Sequence, residues 1–430
     1  MSPGWRSVTV ADLEKAGLAE LRTGPFGTQL HAHEYVDEGV PVINVRNLGW
    51  GNLRADTIEC IDATTAVRLE AHRLLPGDIV FGRKGAVDRH LLIGQGQAGW
   101  IQGSDCLRLR IKPSAVLPRF LSYALRTRDH VRWMENQCSH GATMASLNQA
   151  IVSRIGFRLP DIGIQGRIAG ILAAYDDLIE NNLRRIKILE EMAQSLYKEW
   201  FVDFRFPEHE SVLMVDSLLG MIPEGWETPL VGEELEVLGG GTPDTRVEAY
   251  YADGSINWYT PSDLTASASV FMDASSRKIT GEALRSSSAR LFPPFSVMMT
   301  SRATIGVVAI NTTEAATNQG FIVCLPNERV PVSYLYHWFR GTRELFENLA
   351  SGATFKELRR STFREIPILV PSPEVMADFA SACQPVMDLL LALQRKNTVL
   401  RQTRDLLLPK LISGEIDVSD LDIDIGEDAA

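Results

Sequence analysis

Residues 168–200 read IAGILAAYDDLIENNLRRIKILEEMAQSLYKEW, and residues 379–411 read FASACQPVMDLLLALQRKNTVLRQTRDLLLPKL. In the first stretch Ile168, Leu172, Tyr175, Ile179, Asn182, Ile186, Leu189, Ala193, Leu196 and Trp200 step by four and three without interruption. In the second, Phe379, Cys383, Val386, Leu390, Leu393, Asn397, Leu400, Arg404, Leu407 and Leu411 repeat that spacing 211 residues later. More than four heptads of such positions make a coiled-coil seam. A surface helix of a single domain seldom carries so strict a stripe for so long. The two helices are therefore expected to pair with each other, antiparallel, rather than each to pack on its own domain. Asn182, Asn397 and Arg404 would fix the register at some cost in stability. Pro385 and Pro409 lie inside the second stretch, where proline kinks a helix or trims its ends.

Each long helix follows a copy of one larger unit. Gly4-Trp5 returns as Gly225-Trp226, Tyr35 and Gly39 as Tyr250 and Gly254, and Leu74-x-Pro76 as Leu291-x-Pro293. Gly141-Ala142-Thr143 returns as Gly352-Ala353-Thr354, and Ile155 and Pro160 return as Ile366 and Pro371. The period is far above the ~20–50 residues of solenoid repeats, so two whole domains stand in tandem. Segments 41–45, 78–81, 256–260 and 296–299 read as strands, and 117–136 and 332–349 have helical spacing. The expected fold class is α/β, with mixed α+β domains over 1–164 and 215–373, long helices over 165–206 and 374–414, and an acidic tail over 415–430.

The 430 residues carry a net charge of −11. Seven acids and no base fall in 415–430, while residues 1–164 hold 19 Lys and Arg against 16 Asp and Glu. Residues 215–373 hold 13 against 18. Neither domain has the basic stripe of a stand-alone DNA binder, so partners would supply much of any phosphate neutralisation. There is no run of about 18 apolar residues and hence no expected membrane span. The first ten residues lack the layout of a secretory signal. The five cysteines form no CxxC pair, which fits reduced thiols and a cytoplasmic protein. Cys106 and Cys324 are taken as equivalent positions of the two copies.

Catalytic signatures are missing. Residues 77–84 (GDIVFGRK) resemble a phosphate loop but lack its Lys and the following Ser or Thr. Pro243-Asp244 with Glu248 lacks the Lys of a nuclease centre. Gly239-Gly240-Gly241 is no dinucleotide fingerprint, and the histidines form no metal-binding spacing. Phe292-Pro293-Pro294-Phe295 lacks the polar first residue of an adenine-methylation tetrapeptide. What remains is a set of polar side chains near strand ends: Arg46, Asn47, Arg83, Lys84 and Arg89 in the first copy, and Asn257, Asp263, Ser301, Arg302, Asn318 and Gln319 in the second. Arg pairs bidentately with guanine, and Asn or Gln with adenine, in the major groove.

Together these features resemble the specificity subunits of type I restriction–modification systems. The likeness rests on SLYKEWFVDFRFP (195–207), LLPKLISGEI (407–416), GPFGT (24–28) with PVINVRN (41–47), and Gly225-Trp226 with TSRATIG (300–306). The chain departs from the family pattern at Ile164-Gln165 and Val375-Met376, ahead of the long helices. The resemblance implies two target-recognition domains, each reading half of an asymmetric site on double-stranded DNA. It further implies two modification subunits that bind S-adenosylmethionine and methylate adenine, motor-nuclease subunits that use ATP and Mg, and no cofactor or catalysis in this chain. A duplicated scaffold that binds only protein is the rival reading, favoured by the acidic balance.

Two expectations follow for the helices. Trp200-Phe201 and Leu407 to Leu411, as large apolar ends, should meet other chains or the next domain. On this reading Phe201→Asp weakens assembly and leaves the recognition domains folded. The 32 steps from 168 to 200 span roughly 48 Å at ~1.5 Å each, at most ~14 base pairs at ~3.4 Å per pair.

Overall fold

The computed structural model describes residues 4–25, 29–55, 57–138, 146–267, 269–352 and 356–422. Residues 26–28, Gly141-Ala142-Thr143, Ala353-Thr354 and the second half of the acidic tail (423–430) lie outside the described residues. The chain divides into two compact units. One comprises Met1–Ile179 with Val399–Ala430, the other Glu180–Thr398. Each unit therefore holds one of the duplicated domains and part of each long helix.

Both domains use one topology. In the first, a five-stranded sheet runs in the order Ala19–Thr23, Cys106–Ile111, Ile79–Gly82, His90–Leu92, Trp50–Gly51. In the second, the order is Glu236–Gly239, Phe321–Leu325, Val297–Thr300, Val308–Asn311, Phe271–Met272. The last pair is parallel in both sheets and the other pairs are antiparallel. A smaller sheet lies beside each. Val40–Ile43 pairs in parallel with Ile101–Gln102 and antiparallel with Glu59–Ile61, as Ile256–Tyr259 does with Ala315–Thr317 and Lys278–Ile279. The inner strands of the larger sheets are buried runs of Val, Ile, Met and Phe, as strands covered on both faces require.

Register corrects one equivalence. Cys106 pairs opposite Gly82, whereas Cys324 pairs opposite Val297 at the start of the matching strand. Phe321, not Cys324, thus holds the place of Cys106. Both thiols are fully buried and burial raises their pKa values, Cys106 to about 12, so small apolar packing accounts for each. The stretches with helical spacing are each two helices, Pro118–Leu125 with Arg128–Cys138, and Val332–Gly341 with Arg343–Leu349. In the first pair the Arg126 N–H turns back to the Tyr123 carbonyl and the Thr127 hydroxyl donates to the Ala124 carbonyl, which ends the first helix.

The long helices run Ile162–Phe201 and Pro373–Ser413. The second continues through Pro385 and Pro409. Within the first unit Asp176 accepts from Arg404 at 2.6 Å, and Ile168 and Leu172 share a core with Leu408 and Leu411. Within the second, Asn182 Nδ2 donates to Asn397 Oδ1 at 2.8 Å, and Phe201 meets Phe379 with ring centroids 4.8 Å apart. Ascending numbers on one helix meet descending numbers on the other in both units, so the pairing is antiparallel. Ile168, Leu172, Ile179, Phe379, Leu390 and Leu411 are buried, while Ile186, Leu196, Leu400 and Leu407 are half-buried. Met387 and Leu408 are buried beside the half-buried Val386 and Leu407, so the buried stripe of the second helix departs there from the spacing read in sequence. An 18-residue window of this helix reaches a mean hydropathy of 1.3, apolar enough by length and composition to cross a bilayer despite having no unbroken apolar run. Phe379, Cys383, Met387 and Leu390 are nevertheless core residues of the second unit.

Equivalent arginines hold each domain to the first long helix. Arg126 donates to Asp176 at 2.8 Å, and Arg340, at the matching place in its domain, donates to Glu190 at 3.0 Å. Gln165, next to the departure from the family pattern at Ile164, lies inside the first long helix rather than ahead of it and is a buried joint residue. Its Oε1 accepts the Leu117 N–H and its Nε2 donates to the Pro160 carbonyl, both at 2.9 Å.

Candidate nucleic-acid interface

The loops leaving the strands converge at one end of each domain. In the first, the Gly103 N–H donates to the Ile43 carbonyl, the Arg83 N–H to the Asp105 carbonyl and the Leu147 N–H to the Arg83 carbonyl. In the second, Asn318 N–H reaches the Tyr259 carbonyl, Ser301 N–H the Gly320 carbonyl and Leu358 N–H the Ser301 carbonyl. Gly24 and Gly240 sit at matching places in this convergence. A Cβ on Gly24 would lie 1.9 Å from the Gly103 carbonyl oxygen, and one on Gly240 would lie 2.0 Å from that of Asn318. Only glycine lets the edge-strand loop cross so close to the neighbouring backbone.

The corner after the parallel strand is built alike in both domains. Asn47 Oδ1 accepts the Asn44 N–H at 2.9 Å, and Asp263 Oδ2 accepts the Thr260 N–H at 2.7 Å. Asn47 is 1% exposed and gives its amide to the Arg54 and Thr57 carbonyls. Asp263 also accepts the Ser276 N–H at 2.8 Å; these hydrogen bonds outweigh burial and hold its carboxyl below the usual range. Asn257 donates to the Asp273 carbonyl and the Thr313 hydroxyl and accepts the Ser275 N–H. These three candidates are turn and strand anchors. Ser301 is also buried, at 3% exposure. Short polar residues hydrogen-bond nearby backbone readily, and sequence does not separate that use from base reading.

The remaining candidates line the surface. Lys84 lies 3.6 Å from Asp105, Arg302 lies 2.8 Å from Glu357, and Arg46 forms an ion pair with Glu59. Gln319 is exposed and its Oε1 accepts from the Thr242 hydroxyl at 2.6 Å. Asn318, half-buried, accepts the Gly320 N–H. Arg83 and Arg89 are half-buried, and the neighbouring His90 is fully buried with its Nε2 2.8 Å from the Ser122 hydroxyl. Burial and the Arg126 charge hold His90 well below its ordinary pKa. The carboxylates Glu59, Asp105 and Glu357 are therefore part of this surface, and the sequence reading passed over them. Strand register was the signal that could have placed them.

Asp244 is held at about 2 by the Arg246 guanidinium 2.7 Å away, which leaves it a salt-bridge partner rather than a base. Among the described residues no group of three His, Cys, Asp or Glu side chains could hold a metal ion.

Comparison with known proteins places these features. The family "type I restriction modification DNA specificity domain" matches residues 67–191 and 223–398. The chain is 36% identical over 186 residues to the type I restriction enzyme MjaIX specificity subunit of Methanocaldococcus jannaschii, a match that spans 43% of each protein. It is 24% identical over 400 residues to the HindI specificity subunit of Haemophilus influenzae, covering 79% of this chain and 86% of that one. Among solved structures, the S subunit of a type I restriction–modification system from M. genitalium superposes with a TM-score of 0.61 at 14% identity, over 97% and 98% of the two chains. That likeness concerns the fold.

Proposed function

This chain belongs to the type I restriction–modification DNA specificity family, and from that premise we propose that it is the sequence-reading subunit of a type I complex. Each recognition domain reads one half of a bipartite site through its convergent loops. The observation that carries this reading is the pair of domains with one topology and different side chains at matching loop positions: Lys84 against Arg302, and Ser104 against Gln319. Different donor patterns call for different half-sites, so the site is asymmetric. Catalysis and the binding of S-adenosylmethionine, ATP and Mg fall to the modification and restriction subunits. In the second unit Ile188 and Met192, one turn apart on the first long helix, remain exposed and form the docking face for the modification subunits. The test is selection of duplexes from a random pool by the chain with and without modification subunits. A two-part consensus with unlike halves is the expected result. A perfect inverted repeat overturns the asymmetry, and no consensus with partners present favours the protein-only scaffold.

The helices set the spacing between half-sites. The Asn182–Asn397 bond makes 394–400 the segment facing 179–185, rather than 390–396, the stretch 211 residues on. Deleting residues 179–185 alone should break the seam. Deleting 394–400 as well should restore pairing with each helix shorter by about 10 Å, and should shift the preferred spacer by up to about three base pairs. A folded, assembled double deletion that keeps the original spacer would show that the helices are not the ruler.

A further inference from the structure

Strand register places two residues of opposite charge at one position of the duplicated fold. Glu59 lies opposite Val42 in the small sheet of the first domain. In the second domain the place of Val42 is taken by Trp258, because the corners Asn44–Asn47 and Thr260–Asp263 match. The residue opposite Trp258 is Arg277, whose carbonyl accepts the Trp258 N–H at 3.3 Å. Glu59 and Arg277 thus occupy equivalent sites beside the convergent loops.

Their surroundings differ as their charges do. Glu59 accepts from Asn44 Nδ2 at 2.7 Å and pairs with Arg46, so the two charges cancel at that flank. The place of Arg46 in the second domain is Ser262, and Arg277 has no carboxylate within ion-pair distance among the described residues. Its guanidinium instead stands over the Tyr251 ring at 4.3 Å and near Trp258 at 6.0 Å. Both rings are tied to the glycine-rich loop: Tyr251 donates its hydroxyl hydrogen to the Pro243 carbonyl at 2.8 Å, and Trp258 Nε1 donates to the Gly241 carbonyl at 3.0 Å. A guanidinium stacked on aromatic faces keeps its edge donors in a fixed fork that matches phosphate geometry.

We propose that Arg277 is a backbone-phosphate anchor of the second recognition domain, and that Glu59 switches off the corresponding anchor in the first by holding Arg46. The proposal rests on the DNA-reading function above and adds an asymmetry to it. The acidic second domain carries a preorganised, uncompensated cation at this flank, whereas the weakly basic first domain carries a neutralised one. Phosphate contacts fix position on the duplex without reading bases, so the anchor sets affinity and salt dependence rather than the consensus.

The test uses the full chain assembled with its modification subunits on a duplex bearing the selected site, with affinity measured from about 50 to about 200 mM salt. Each phosphate contact contributes about 0.9 to the slope of log affinity against log salt. Arg277→Ala should lower the slope by about 0.9, so that its affinity falls about threefold less across that range, and should leave the consensus intact. Arg277→Lys keeps the charge without the fork and should retain most of the slope. Glu59→Gln still accepts from Asn44 and releases Arg46, so the slope should rise by about 0.9. A wild-type slope in a folded Arg277→Ala complex, or a changed consensus base, overturns the anchor. A wild-type slope in Glu59→Gln overturns the switch. A wild-type complex that selects no sequence instead defeats the functional reading beneath it.

Discussion

Phe201→Asp is expected to unfold the second unit. The large apolar end of the first long helix, expected to meet other chains or the next domain, meets the next domain, and Phe201 is only 4% exposed. Its ring meets Phe379 at 4.8 Å, Tyr334 at 4.9 Å and Trp226 at 5.9 Å, joining both long helices to the domain that follows. Removing a buried phenylalanine costs about 3–5 kcal/mol through lost transfer energy and the cavity left behind. An unpaired carboxylate in that place adds a further cost of several kcal/mol. The total is comparable with the whole stability of a domain, about 5–15 kcal/mol. Limited proteolysis should therefore cut throughout 180–398, and near-ultraviolet circular dichroism of the aromatic cluster should collapse. Ile188→Asp, at a position 55% exposed, should leave the melt unchanged and weaken assembly with the modification subunits. A native-like melt for Phe201→Asp would place Phe201 outside the core and restore it as a docking residue.

Asp176→Asn should destabilise the first unit by about 2 kcal/mol, the lower end of the range for removing one partner of a hydrogen-bonded charge pair, since Asp176 is half-buried. Asp176 accepts from the Tyr123 hydroxyl at 2.9 Å, from Arg126 at 2.8 Å and from Arg404 at 2.6 Å, so one carboxylate ties a domain helix to both long helices. Burial alone would raise its pKa. The two guanidinium groups overcome that and hold it below the ordinary 3.8. A carboxyl depressed in the folded state adds stability that is complete above its unfolded pKa and is lost as pH falls through the folded value. The gap between wild type and Asp176→Asn should accordingly be constant above about pH 5 and close below about pH 4. The histidines act in a different window. Burial lowers His130 to about 4 and His337 to about 3, so the unfolded chain takes up their protons first and stability declines as pH falls below 6.5 in both proteins. Urea melts between pH 3 and pH 8 would separate the two. A gap unchanged down to pH 3 would mean that the Asp176 charge does not hold the joint.

The duplication, the mixed α/β class, the two long helices and their seam were legible in the sequence, because heptad spacing and repeated framework residues are local, periodic signals. Glu59, Asp105 and Glu357 escaped notice, since their meaning lies in which cation they face across strands, a non-local fact. The same limit made Asn47, Asn257 and Asp263 look like base readers. An amide or carboxylate near a strand end suits a base edge or a backbone N–H equally well, and only the fold shows that theirs are already taken. Cys106 and Cys324 looked equivalent for want of strand register. The antiparallel sense made Asn397, rather than the residue 211 positions on from Asn182, its partner. Sequence alone determined that the chain is two like domains joined to paired helices, since burial patterns are written along the chain. Which polar groups remain available at the interface was decided only by tertiary structure, because hydrogen bonds and ion pairs between residues distant in sequence consume them.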